Sequence, residues 1–116
     1  FLNACSEDNC TKHVGMVGIG EATIPDTIMN LDHAQLIVSA MAPNGCWSDL
    51  YLDLTENQEF EFSLKAQGTF ESCGACTDNI VHKDTIIDFQ PTKTGTYLFK
   101  IYELPDRILV DTLIVE

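Results

Sequence analysis

The stretch that most constrains this chain is residues 59–76, EFEFSLKAQGTFESCGAC. Phe60, Phe62, Leu64, Ala66, Gly68 and Phe70 alternate without a break with Glu59, Glu61, Ser63, Lys65, Gln67 and Thr69. Successive side chains of a strand point to opposite faces, so a period of two predicts a half-buried β-strand over 59–70. That strand delivers the chain directly into Cys73-Gly74-Ala75-Cys76. Any fold for this sequence has to place a long amphipathic strand in a sheet and a C-x-x-C at its end.

The same periodicity recurs along the chain. Residues 14–25 are apolar but carry Gly15, Gly18 and Gly20, which predicts irregular pairing, and Pro25-Asp26 opens a turn. Further strands are predicted over 33–41, 46–55, 84–90, 96–103 and 107–115, bounded by Pro43-Asn44-Gly45, Glu56-Asn57-Gln58, Pro91 and Leu104-Pro105-Asp106. No segment carries a capped apolar stripe of helical period. Seven short strands in 116 residues predict an all-β fold, an antiparallel β-sandwich. Residues 1–13 read as a leader remnant and polar tether, and 14–116 as a single domain.

Six basic residues against eighteen acidic ones leave a formal charge of −12. Such a field repels phosphates and excludes a basic nucleic-acid-binding patch. No apolar run approaches the ~20 residues that span a bilayer as a helix. Five cysteines in so small a chain point to an oxidising, extracytoplasmic compartment, where disulfides supplement a limited core.

Two short motifs carry resemblances. Gly95-Thr96-Tyr97 resembles the G-x-Y entry to the sixth strand of immunoglobulin-like domains, which implies an immunoglobulin-like sandwich whose tyrosine bonds back to the preceding connection. Phe99 stands where an antibody domain has its second core cysteine, so the inter-sheet disulfide is absent. Leu2-Asn3-Ala4-Cys5 resembles a bacterial lipobox, which implies lipidation of Cys5 and explains the odd cysteine. Ser6-Glu7-Asp8-Asn9 resembles the acidic tag of surface-exported lipoproteins of Bacteroides and flavobacterial type. Together with Ile24-Pro25, Cys46, Cys73 or Cys76 and Gly95 to Lys100, the chain resembles small Bacteroidetes lipoproteins. That resemblance implies an outer-membrane lipoprotein, surface exposed, touching the membrane only through its lipid. It implies no activity.

Counting alternate strand directions places Cys10, Cys46, Cys73 and Cys76 at one pole. Of the three pairings, Cys46 with Cys73 or Cys76, and Cys10 with the other, is preferred. A Cys46 bridge would stabilise by roughly 3–4 kcal/mol from loop closure. Against this stand a redox C-x-x-C, which lacks the helix that lowers a thiol pKa, and a zinc site drawing on those cysteines with His13 or His82. Calcium held by Asp49, Asp53, Asp84 and Asp88 is a further reading without a recognisable loop motif. Histidines 13, 33 and 82 lie beside tether or turn segments and no G-x-S-x-G is present, so no catalytic residues and no cofactor are expected.

Binding is the remaining class. Trp47 shares parity with Tyr51, and an outward Trp–Tyr pair would suit a protein or glycan partner. Alternatively, a bend swings Trp47 over the end of the core. The sequence therefore predicts a non-enzymatic binding or structural module, with zinc or calcium binding as the alternative, and does not name the ligand.

Overall fold

The structure, a computed structural model, describes residues 10–29, 31–104 and 106–116. Cys5, the leader remnant before it and the acidic tag after it lie outside the described residues. Eight strands follow in order: β1 (Thr11–Thr23), β2 (Thr27–Ile28), β3 (Ala34–Ala42), β4 (Trp47–Gln58), β5 (Glu61–Ser72), β6 (Val81–Phe89), β7 (Gly95–Leu104) and β8 (Arg107–Val115). Each of the seven strands read from the sequence is present, and β2 is an added two-residue bridge. β1 begins at Thr11, so the last three residues assigned to the tether, Thr11 to His13, already pair with β5.

The alternating strand at the centre of the sequence is also the hub of the sheet. β5 pairs along one edge with β4; its other edge is shared, first by β7 at Glu61 to Leu64 and then by β1 at Ala66 to Ser72. β1 then leaves β5 and joins β3, which pairs with β6. One curled sheet results, ordered β2-β8-β7-β5-β1-β3-β6, with β4 attached to β5. The handover occurs where β1 is poor in side chains. Val17 still pairs with Ala66, Gly18 pairs with Met41, and the register slips at Gly20 between Ile19 and Glu21. A Cβ on Gly20 would lie 1.8 Å from the Met41 sulfur, so a larger residue there would have to displace the Met41 side chain.

The fold is all-β, as the periodicity predicts. Its pairing, however, is mixed. β5 and β7 run parallel, because β6 carries the chain across the opposite side of the curl before it returns as β7. An all-antiparallel immunoglobulin-like sandwich has no such central parallel pair, so this is a mixed, half-barrel-like sheet. The local expectation from Gly95-Thr96-Tyr97 nevertheless holds. The Tyr97 hydroxyl donates to the Lys93 carbonyl at 2.7 Å and accepts from the Lys93 N–H at 3.3 Å.

Inside the curl lie the inward residues of each strand. On β3 these are Ala34, Leu36, Val38, Ala40 and Ala42, and they meet Leu64, Phe99, Ile101 and Leu113 from the other side. Burial of the larger of these, the leucines, Val38, Phe99 and Ile101, contributes about 1.5–3 kcal/mol each. Among the described residues, β8 is covered on its outer edge by β2 only at Ile114 and Val115, which leaves 107–113 as an open edge with Ile108, Leu109 and Val110 exposed.

Candidate functional site at the cystine pole

The four cysteines meet at one end of the sheet. Cys46 is bonded to Cys76 and Cys10 to Cys73, which resolves the preferred scheme into one pairing. The β3–β4 turn and the β5–β6 loop are tied by backbone as well. The Gly45 N–H donates to the Thr77 carbonyl at 3.0 Å, and the Glu71 N–H donates to the Cys46 carbonyl at 3.0 Å. A Cβ on Gly45 would fall 1.9 Å from the Thr77 hydroxyl, so a larger residue there would have to turn the Thr77 side chain aside. With four sulfurs consumed, the thiolate ligands of the zinc reading and the dithiol of the redox reading are gone. Two disulfides are compatible with an extracytoplasmic location.

The carboxylates of the calcium reading are dispersed. Asp53 sits opposite Lys65, Asp84 opposite Ser39, and Asp88 takes the His33 imidazole at 2.8 Å on an open surface. Asp49 occupies a bulge. Among the described residues, no three His, Cys, Asp or Glu side chains are grouped to hold a metal ion.

Trp47 is placed by that bulge. In β4, Ser48 pairs with Thr69 but Tyr51 pairs with Gln67, so Asp49 and Leu50 together oppose Gly68. Asp49 takes a φ of 53° to accommodate the extra residue. The insertion reverses side-chain parity, so the outward Trp47–Tyr51 pair that a simple parity count gives does not form. Trp47 turns inward with Leu50, as the alternative reading had it, while Tyr51 stays outside and donates its hydroxyl to Gln67 Oε1 at 2.6 Å.

The inward tryptophan has a definite seat. Gly15 and Gly68 are cross-strand partners, and ideal Cβ atoms on them would lie 3.2 and 3.4 Å from the indole ring. The ring therefore lies over two bare backbones, flanked by Phe70 at 5.4 Å and His13 at 6.0 Å between centroids, both near edge-on. A glycine pair weakens a sheet, and a covering aromatic restores packing there. Gly68 faces a further constraint, since a Cβ would stand 2.5 Å from a Leu50 methyl.

Beside Trp47, a groove of about 560 Å³ opens where β1 changes partners. Met16, Val17 and Ile19 of β1, Met41 and Pro43 of the β3 end, and Ile80 line it, with Glu103 and Arg107 of the β7–β8 hairpin at the rim. Sequence reasoning found Trp47 but missed Met16, Met41 and Ile80. The glycines that allow β1 to cross were a signal, but their partner strands were not readable. Compared with known proteins, the chain matches no family model, no curated protein and no solved structure.

Proposed function

We propose that this domain is a non-enzymatic binding module of the bacterial cell envelope, located outside the cytoplasm and anchored in the outer membrane by a lipid on Cys5. Its contact surface is the groove beside Trp47, and its partner is a protein. The observation that carries this reading is the groove itself. Two methionines and a tryptophan give it an adaptable, polarisable lining of the kind found at protein-contact surfaces.

Two further observations favour a protein over a small molecule. At Arg107 the groove runs into the open edge of β8, where Ile108, Leu109 and Val110 are exposed. Such an edge has unpaired backbone groups and apolar side chains that a partner strand covers. The net charge of −12 favours a partner with a basic rim around an apolar centre.

The test uses the full-length lipoprotein in its own cells, with a photo-crosslinking residue at Ile80 in the groove or at Ile86 on the remote face of β6. One discrete adduct from Ile80, absent from Ile86 and lost on adding Met41→Glu, is the expected result. Adducts of equal yield at both positions, or none at Ile80, overturn the groove as the contact surface. The anchor is tested separately: intact mass should show an acylated Cys5, and Cys5→Ser should release the protein from the membrane fraction.

A further inference from the structure

At the opposite pole, a second cavity of about 640 Å³ lies between the β4–β5 turn and the β6–β7 connection. We infer that it is a binding site for a neutral saccharide, distinct from the protein-contact groove. Its volume falls within the range of about 300–1,000 Å³ typical of small-ligand pockets, room for a mono- or disaccharide.

The wall of the cavity is aromatic and built at a conformational cost. Phe60 has a φ of 65°, a conformation that a bulky side chain rarely adopts. The turn holds it there: the Phe60 carbonyl accepts from the Leu98 N–H at 2.8 Å, and the ring meets Tyr97 edge-to-face at 4.9 Å. Gly95, itself at a φ of 144°, makes room, since a Cβ would lie 2.9 Å from the Phe60 ring. Two unusual backbone conformations thus bring one half-buried ring to the cavity wall. Strain of this kind clusters where a ligand is held. Pyranose rings present apolar C–H faces that pack on aromatic rings.

The rim supplies the complementary chemistry. Gln90 carries an amide that is both donor and acceptor, while the Asn57 and Gln58 amides donate to Glu61 and Ser63 and keep their carbonyl oxygens as acceptors for vicinal hydroxyls. Lys93 is already paired with Glu59, which raises its pKa, and among the described residues lining the cavity it is the one cation, so none is left unpaired for an anionic sugar or a phosphate. Glu56 remains as an acceptor. Neutral amide carbonyls (Asn57, Gln58, Gln90) outnumber the unpaired carboxylate Glu56 among these acceptors, which favours a neutral polyol over a basic peptide.

The test is NMR titration of the full domain with maltose, cellobiose and lactose, and with a short Lys/Arg peptide as the competing ligand class. At least one sugar should shift the amides of Asn57, Phe60 and Gln90, saturably and without shifting those around Trp47. Phe60→Ala should weaken that binding about tenfold, the worth of one good aromatic contact. Because Phe60 also packs on Tyr97, the exposed Gln90→Ala serves as a second variant, expected to weaken binding several-fold at unchanged thermal stability. No shift with any of the three sugars, binding unaffected by Gln90→Ala, or a response to the peptide alone overturns the inference.

Discussion

The two ends of this sheet solve one problem by different means. At the cystine pole, the loops are joined by two covalent bonds, and Cys73 to Ala75 remain exposed with nothing within 4 Å of where a Gly74 Cβ would stand. At the tyrosine-corner pole, the connections are held by packing. Phe62, Phe89, Tyr97 and Phe99 form a cluster with centroid separations of 5.0 to 6.2 Å, and one hydroxyl ties the connection before β7. The lesson concerns what each end has to bury. Loops with few apolar side chains gain order by restricting the unfolded chain, whereas loops rich in aromatics gain it from contacts in the folded one.

The largest expected effect breaks the first half of that contrast. Cys10–Cys73 closes a separation of 63 residues and Cys46–Cys76 one of 30. By loop-closure entropy they contribute roughly 4 and 3.5 kcal/mol. Removing both as Ala pairs takes away most of an ordinary domain's ~5–15 kcal/mol. Urea unfolding should then show little or no folded baseline, with the Cys10/Cys73 double variant the weaker of the two single-bridge variants. A reduced protein that keeps its midpoint would show that packing, not cross-linking, holds this pole.

Next comes the one aromatic seat at the cystine pole. Trp47→Ala should cost about 2–3 kcal/mol, because it uncovers the Gly15–Gly68 pair as well as losing its own contacts. Trp47→Phe should recover more than half. If Trp47→Ala costs no more than a surface substitution, the indole is not packed on the glycines.

At the other end, Tyr97→Phe keeps the ring and deletes the corner. About 1 kcal/mol should be lost, the net worth of a hydrogen bond, read as a lower urea midpoint at an unchanged slope. A loss as large as that of a disulfide would mean that the hydroxyl, rather than the cluster, organises this pole.

The smallest effect is electrostatic. Asn57 donates to the Glu61 carboxylate at 3.2 Å and lowers its pKa below the ordinary 4.5; partial burial opposes this, and Lys100 at 3.4 Å assists. A depressed carboxylate contributes stability that is present above its unfolded pKa and lost as pH falls through the folded value. Glu61→Gln should therefore flatten the acid limb of the stability profile, measured by thermal melts below about pH 4.5, and leave the neutral plateau almost unchanged.

Much of the architecture was readable because it is local. The alternation of residues 59–70 yields β5, Gly95-Thr96-Tyr97 yields the corner, and the succession of strands brings the cysteines together. What could not be read is non-local or arises from one inserted residue. Nothing in β5 or β7 announces that they run side by side, since that follows from the path of β6. The Asp49 bulge inverts the face of Trp47, and a parity count has no means of seeing an extra residue whose partner strand is unknown. The cavity between the β4–β5 turn and the β6–β7 connection escaped notice for a related reason. Its amides and rings come from two turns more than thirty residues apart, although a phenylalanine immediately after Asn57-Gln58-Glu59 was an odd choice for a turn.

The Cys10–Cys73 bond has a mechanical consequence. Tension arriving from the chain upstream of Cys10 would otherwise unzip β1 from β5 pair by pair, starting where Thr11 meets Ser72. The cross-link stands just ahead of that first pair and hands the load to β5, the strand held along both of its edges. A pull on the N-terminal side is thus shared across the middle of the sheet instead of being concentrated on its first hydrogen bond. Against a load applied at the N-terminal side, the bond works as a strain relief.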